Sequence, residues 1–501
     1  MTRGGAGTRP VTVVAVDLGA ESGRVTTVGF DGHRLALQVV HRFSTVPRRS
    51  GGHLRWDAAA IQDQIGSGLA RVAAGGSEVA AVGVDAWGVD YGLLDAGGRL
   101  IDDPISYRDG RNLAPFGVAL AEVGGARLYA ATGIAPMAIN TLFGLMADQR
   151  DDPGRLTRAA TLVMIADVFH AHLSGARVSE YSAISTSGAY DMGRGRWAVE
   201  LLEELGVPTH LLPEVVPAGT DLGPLRTAGQ PAALAGARVV VPAAHDTACA
   251  VVGTPRLEPG ALFLSSGTWS LAGIEVAQPI IDEPARRAGL TNEGGYGGSI
   301  RLQRTMIGLW LLQECRRQWA GDGTDHSYAE LAELAAAEPG WGYVVDSDAA
   351  DFLAPGDMPR RIRSWCADNG LPVPETASAV ARCAIDSLAL SYRSVVDDLA
   401  RVTGRRPTSV NVVGGGAGHA LLSQLTADAT GLPVRCGPIE ATALGNGAVQ
   451  LATLGELAGP AEIRQAVADS FPVREYEPRD SPGADQAAAR LSAVTARRRP
   501  A

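Results

Sequence analysis

The stretch Val11-Thr12-Val13-Val14-Ala15-Val16-Asp17-Leu18-Gly19-Ala20-Glu21-Ser22-Gly23-Arg24 decides the fold class. Residues 11–17 are apolar up to a closing acid and read as a buried strand. A turn over residues 18–23 then leads into a second strand over 24–30, and Asp31-Gly32 marks another tight turn. Downstream, Asp57 is placed to cap a helix whose Ile61, Ile65, Leu69 and Val72 fall on one face. Residues 79–85 form the next buried strand and run into Ala86-Trp87-Gly88-Val89-Asp90. The order strand, hairpin, helix, strand predicts an α/β domain.

A second cycle begins in mid-chain. Residues 238–241 read as a strand ending at Pro242-Ala243-Ala244-His245-Asp246-Thr247, and 261–264 as a strand ending at Ser265-Ser266-Gly267-Thr268 with 269–276 returning beside it. A long helical pattern over 376–402, with Val380, Ala384, Leu388, Val395 and Leu399 on one side, feeds a strand at 409–413 and then Gly414-Gly415-Gly416. Two strand–turn–strand hairpins thus head two halves of similar size, which suggests internal duplication. The expected domains are 11–252 and 253–455, divided near residues 253–260, with a loosely ordered tail at 475–501.

Composition narrows the chemistry. The 501-residue chain is long enough for two domains, and its net charge of −10 argues against a nucleic acid or an anionic membrane as partner. Residues 1–10 lack the apolar core of a secretory signal, and no apolar run approaches the ~20 residues that span a bilayer. Five scattered cysteines, none in C-x-x-C spacing, fit free thiols in a reducing cytoplasm, so a cytoplasmic location is expected. None of the 44 Lys+Arg residues is lysine. The P-loop, the protein-kinase strand lysine and Schiff-base catalysis are therefore excluded in their usual forms.

Several residues carry candidate chemistry. The turn Ala20-Glu21-Ser22-Gly23-Arg24 offers consecutive backbone N–H groups, a hydroxyl and a guanidinium, which suit phosphate oxygens, and Asp17 offers a carboxylate for hydrated magnesium. A plain hairpin would look the same locally. The turn at Ser265-Ser266-Gly267-Thr268 repeats the pattern, and the pair suits a polyphosphate. Gly414-Gly415-Gly416 permits close backbone approach but is not G-x-G-x-x-G, because the sixth position from Gly414 is His419. Asp246, just past a buried strand, suits a general base; its other reading is a cap for the helix that follows. His245 is either a sugar hydrogen-bond donor or a satisfied buried imidazole. Trp87, Gly88 and Asp90 offer a polyol an aromatic face, close backbone approach and a carboxylate, and Trp87 serves equally as core. Thr291-Asn292-Glu293-Gly294-Gly295 reads as a polar, flexible loop, either lid or surface.

Taken in order, Val16-Asp17-Leu18-Gly19-Ala20-Glu21-Ser22-Gly23-Arg24, Asp85-Ala86-Trp87-Gly88-Val89-Asp90, Ala244-His245-Asp246-Thr247-Ala248, Leu264-Ser265-Ser266-Gly267-Thr268-Trp269-Ser270 and Val413-Gly414-Gly415-Gly416 resemble the FGGY carbohydrate kinases over roughly residues 11–455. The first turn, Trp87-Gly88-Val89-Asp90, Thr291-Asn292-Glu293-Gly294-Gly295 and residues 306–313 are similar to the rhamnulokinase branch of that family. The resemblance implies a two-domain actin-like ATPase (ribonuclease H-like) α/β fold with the active site in the interdomain cleft. It also implies transfer of a phosphoryl group from ATP, with Mg²⁺, to the 1-hydroxyl of L-rhamnulose. By resemblance Asp246 is the base; Ala20, Glu21, Ser22, Gly23, Arg24, Thr268, Gln313 and Gly415 contact ATP. Gly88, His245, Thr247, Asp246, Thr305, Trp87 and Asp90 contact sugar, and Asp17 and Asp246 serve the metal. Thr305 stands where relatives place an asparagine. A kinase of L-fuculose or D-xylulose, and a non-catalytic sugar or nucleotide sensor, are the rival readings. The expected partners are a small sugar and ATP, with the chain a monomer or homodimer.

Overall fold

The computed structural model describes residues 10–226 and 231–498. Of the start read above for a signal segment, only Pro10 is among them, and the last three residues of the expected tail lie outside. Met1–Pro255, Glu275–Leu302 and Ala441–Phe471 form one compact unit; Arg256–Ile274, Gln303–Glu440 and Pro472–Ala501 form the other. The chain therefore passes between the units more than once, whereas composition suggested a single division near residues 253–260.

The first unit is built on β1 (Val11–Leu18), β2 (Ser22–Phe30), β3 (Leu35–Ser44), β4 (Ala81–Ala86), β5 (Asp221–Pro224) and β6 (Arg238–Val240), in the order β5-β6-β4-β1-β2-β3. β1 runs antiparallel to β2 and parallel to β4. Its unbroken apolar run has a simple cause: both faces are covered. Val14 and Val16 share a cluster with Ile61, Ile65, Leu69 and Val72 of helix α1 (Ala58–Ala74). Val13 and Ala15 face the opposite way, toward Ala248 and Val252 of α3 (Asp246–Val252) and Ala443, Leu444 and Ala448 of α6 (Ala441–Thr453). Each such buried branched side chain contributes about 1.5–3 kcal/mol. Helix α2 (Ile165–Ser174) lies on the α1 side, contributing Ile165, Phe169 and Leu173 to that cluster. Asp57 caps α1 as expected, its side chain accepting from the Ala60 N–H.

α3 and α6 approach so closely that side chains are excluded. A Cβ on Gly445 would lie 1.9 Å from the Cys249 carbonyl oxygen, and one on Gly253 2.1 Å from that of Ala441.

In the second unit, β7 (Leu262–Ser266) pairs antiparallel with β8 (Trp269–Val276) and parallel with β9 (Val410–Val413). β9 continues to β10 (Val434–Cys436) and β11 (Arg474–Tyr476). The pattern of β1, β2 and β4 thus recurs in β7, β8 and β9, the structural form of the duplication. α4 (Trp310–Gly321) follows β8 in this unit. The 27-residue α5 (Ala377–Thr403) starts at Thr376, whose side chain accepts from the Ala379 N–H, and stops at Gly404 with φ 70°.

Two expectations differ from what forms. Thr291–Gly294 is a buried strand, not a flexible loop. Its polarity is consumed internally: Asn292 Nδ2 donates to the Gly133 and Ile280 carbonyls, and Asn292 Oδ1 accepts from the Ile280 N–H. The tail contains α7 (Pro482–Arg498), which buries Ala484, Ala487 and Val494 and pairs Asp485 with Arg393 at 2.6 Å. Where a loosely ordered segment is expected, the alanines instead supply the buried face of a helix. All five cysteines are buried free thiols. Among the described residues no helix is long and apolar enough to cross a membrane.

Candidate active site

Asp17 stands at the penultimate position of β1, almost fully buried, because the strand carries it there before the glycine turn. The turn closes through the Gly19 N–H to the Ser22 carbonyl at 3.0 Å and is braced by Thr45, whose hydroxyl donates to the Gly19 carbonyl at 2.5 Å. Gly23 has no room for a side chain, since a Cβ there would lie 2.5 Å from the Phe43 ring. Glu21 and Ser22 are exposed, Ala20 and Arg24 half-buried. Arg24 faces Asp17 across the hairpin, with Nε 3.2 Å from Oδ2.

Across the parallel pairing, the register partner of Asp17 is Asp85. Asp85 is fully buried, and Asn446 of α6 donates to its Oδ2 at 2.6 Å. Gln450, one turn on, donates to Asn446 Oδ1 at 2.6 Å and to the Val14 carbonyl at 3.0 Å. Burial, then the nearby Asp17 charge, holds the Asp85 carboxyl well above the usual range; the Asn446 hydrogen bond opposes this and the Asp246 charge adds to it. Asp17, Asp85 and Asp246 thus share one electrostatic neighbourhood.

Asp246 opens α3 at the end of the loop that follows β6. His245 occupies the cap position, with no side-chain cap bond, so Asp246 is not the helix cap. Its carboxylate, 30% exposed, accepts from the Thr247 hydroxyl at 3.1 Å and lies 3.4 Å from His245 Nε2. The loop is tied to the end of β4 by the Ala86 N–H, which donates to the Ala244 carbonyl at 2.9 Å. His245 Nδ1 lies 3.0 Å from Arg301 Nη2 and 3.2 Å from Glu293 Oε2. Arg301, fully buried, also donates to the Gly294 carbonyl and to Glu293. The imidazole is therefore a satisfied buried group that also borders Asp246.

Trp87 and Asp90 form a buried unit with Trp56. Trp87 Nε1 and Trp56 Nε1 both donate to Asp90 Oδ2, at 2.9 and 2.6 Å, and the two indoles sit 4.1 Å apart. Burial pushes the Asp90 carboxyl up to about 7, against those hydrogen bonds. This oxygen of Asp90 is committed to building the aromatic pair. Between them, Gly88 packs against Thr186, where a Cβ would lie 3.0 Å away. Val89 has φ 66°, rare for a β-branched residue. It is held there by its N–H bond to Thr186 and by the Thr141 hydroxyl on its carbonyl.

In the second unit, three residues expected to meet ATP converge on one turn. Thr268 Oγ1 donates to Gln313 Oε1 of α4 at 3.2 Å. Gly414, with φ 82°, and Gly416 pack on Ser266, where Cβ atoms would lie 2.9 Å from its carbonyl oxygen and 2.0 Å from its hydroxyl respectively. Gly415 alone of the three has open space. Thr305 is half-buried on the strand Ile300–Ile307.

Sequence reasoning missed Asp85, Asn446 and Arg301. Asp85 carried the signal that singled out Asp17, an acid closing a buried apolar strand. The others act through contacts far apart in sequence. Among the described residues no three His, Cys, Asp or Glu side chains converge to hold a metal. One or two carboxylates beside phosphate oxygens fit magnesium, which retains much of its water.

The comparisons with known proteins agree with this architecture. Residues 12–253 match the FGGY family of carbohydrate kinases, N-terminal domain, and residues 262–454 its C-terminal domain. The chain is 38% identical over 470 residues to a rhamnulokinase of Enterococcus faecalis, covering 93% of this chain and 94% of that one. It is 40% identical over 472 residues to a rhamnulokinase of Pectobacterium carotovorum, covering 93% of each. Among solved structures, a xylulose kinase from Rhodospirillum rubrum matches with TM-score 0.78 at 21% identity, over 97% of this chain and 98% of that one. A Plasmodium falciparum glycerol kinase with ADP matches with TM-score 0.78 at 13% identity, over 98% and 97%. These two speak for the fold alone, a two-domain α/β fold consistent with the actin-like ATPases.

Proposed function

The chain belongs to the FGGY family of carbohydrate kinases, and on that premise we propose that it transfers the γ-phosphoryl group of ATP to the 1-hydroxyl of L-rhamnulose. Relatives named rhamnulokinase, at 38% and 40% identity over nearly the whole chain, support this substrate. The observation that supports the mechanism is Asp246: a partly exposed carboxylate at a helix start, sharing its surroundings with buried Asp17 and Asp85.

Asp246 accepts the proton of the sugar hydroxyl as that oxygen bonds to the γ-phosphorus, and the bond to the β–γ bridging oxygen breaks to release ADP. His245, Thr247, Thr305 and the backbone at Gly88 hold the sugar. The Trp87 indole, fixed by Asp90, shapes the wall beside Gly88. Ala20, Glu21, Ser22, Gly23, Arg24, Thr268, Gln313 and Gly415 are the residues assigned to ATP. Asp17 and Asp246 would hold hydrated Mg²⁺, which neutralises phosphate charge.

Replacing Asp246 by Asn keeps the side-chain shape and removes the base. The expected result is retained sugar binding by calorimetry with kcat lowered about 10²–10⁴-fold. Turnover equal to the parent would remove Asp246 from this role.

A further inference from the structure

Glu180 is fully buried just before the helical turn Tyr181–Ile184. One of its oxygens, Oε2, accepts three hydrogen bonds: from the Ser182 hydroxyl at 2.5 Å, the Ala183 N–H at 3.1 Å and the Ala244 N–H at 3.0 Å. The Ser182 hydroxyl in turn accepts the His245 N–H at 3.1 Å. The two amides immediately before Asp246 are therefore held by a pair of side chains more than sixty residues earlier in the chain.

The same chain of bonds continues to the neighbouring strand. The Glu180 N–H donates to Asp167 Oδ2 at 3.1 Å, and Asp167 Oδ1 lies 3.0 Å from His170 Nδ1. His170 Nε2 accepts the Val84 N–H at 3.0 Å, which places the ring proton on Nδ1, facing Asp167. Val84 immediately precedes Asp85. Each of these links is buried and each of these donors has its acceptor. At the Glu180 carboxyl all of them fall on Oε2, while Oε1 has no hydrogen-bond partner among the described residues. Away from water such bonds are stronger than at the surface.

We propose that Glu180 and Ser182 are positioning residues for phosphoryl transfer, setting where Asp246 stands relative to Asp85 by holding the Ala244 and His245 amides. This rests on the reading of Asp246 as the base. Glu180 acts through one acceptor oxygen, since Oε2 takes all three donors. Burial, opposed by the Ser182 hydrogen bond, pushes its carboxyl up to about 7, in keeping with a role that does not need the charged form.

The test is steady-state kinetics of Ser182→Ala, Glu180→Gln and Glu180→Ala beside Asp246→Asn, in the full chain. Displacing a reacting group by about 1 Å costs up to 10²-fold in rate. Ser182→Ala is therefore expected to lower kcat about 10-fold, and Glu180→Ala about 10²-fold, with KM for ATP within about 3-fold of the parent. Glu180→Gln, which keeps the acceptor, is expected to retain most of kcat. If Glu180→Ala does not fold, Ser182→Ala carries the test. A parent-like kcat for Ser182→Ala beside an inactive Asp246→Asn overturns this inference alone. So does a KM for ATP that rises as much as kcat falls, or a Glu180→Gln variant as impaired as Glu180→Ala. An active Asp246→Asn overturns the base assignment and this inference with it.

Discussion

Asn446 donates a 2.6 Å hydrogen bond to the Asp85 carboxylate from 361 positions away in the sequence. The contact joins helix α6 to the strand beside Asp17, and it reaches a fully buried acid whose other oxygen, Oδ1, has no hydrogen-bond partner among the described residues.

Asn446→Leu removes that donor together with the bonds to Gly83 and Gln450. Leaving buried acceptors unmatched costs about 1–3 kcal/mol. The expected result is an unfolding free energy lowered by that amount, read as a lower urea midpoint with the m-value unchanged. A midpoint equal to the parent would show that Asp85 has another means of support.

Asp90 gives a pH signature. Its carboxyl is pushed by burial from 3.8 to about 7, so between those values the folded chain keeps a proton that the unfolded chain releases. Stability contributed by this group is present below the lower value and is lost as pH rises through the window, at up to about 1.4 kcal/mol per pH unit. Asp90→Asn keeps an acceptor for the Trp56 and Trp87 indoles but cannot titrate. Denaturation between pH 4.5 and 7 should show the variant losing less stability than the parent; equal losses would contradict the assignment.

Two glycines separate packing from binding. Gly445→Ala would place a methyl 1.9 Å from a backbone oxygen of α3, and overpacking of this kind costs about 1–3 kcal/mol or more. A large loss of thermal stability is expected. Gly415→Ala meets nothing within 4 Å, so its Tm should match the parent while KM for ATP rises about 10-fold if the backbone there approaches nucleotide. An unchanged KM would leave Gly415 a turn residue only.

The legible parts of the sequence were those set by local pattern. β1 was visible because both its faces are buried, α5 because Thr376 caps a regular apolar stripe, and β8 because it returns directly from a glycine turn. Asp17, Asp246 and His245 stood out because each ends or follows a buried strand. What stayed hidden depends on partners elsewhere in the chain. Thr291–Gly294 looked like a loop because Asn292 and Glu293 are polar, and their burial rests on partners elsewhere in the chain, among them Gly133, Ile280, His245 and Arg301. The bond from Trp56 to Asp90, on the oxygen that also takes Trp87, was hidden because Trp56 lies 34 residues away. Glu180 gave no local signal at all.

The most direct test is ADP release by the purified protein with Mg-ATP and L-rhamnulose, L-fuculose, D-xylulose, L-ribulose or glycerol in turn. The account predicts that L-rhamnulose supports the fastest turnover by a wide margin. Faster turnover on another of these sugars, or none on any of them, would contradict it.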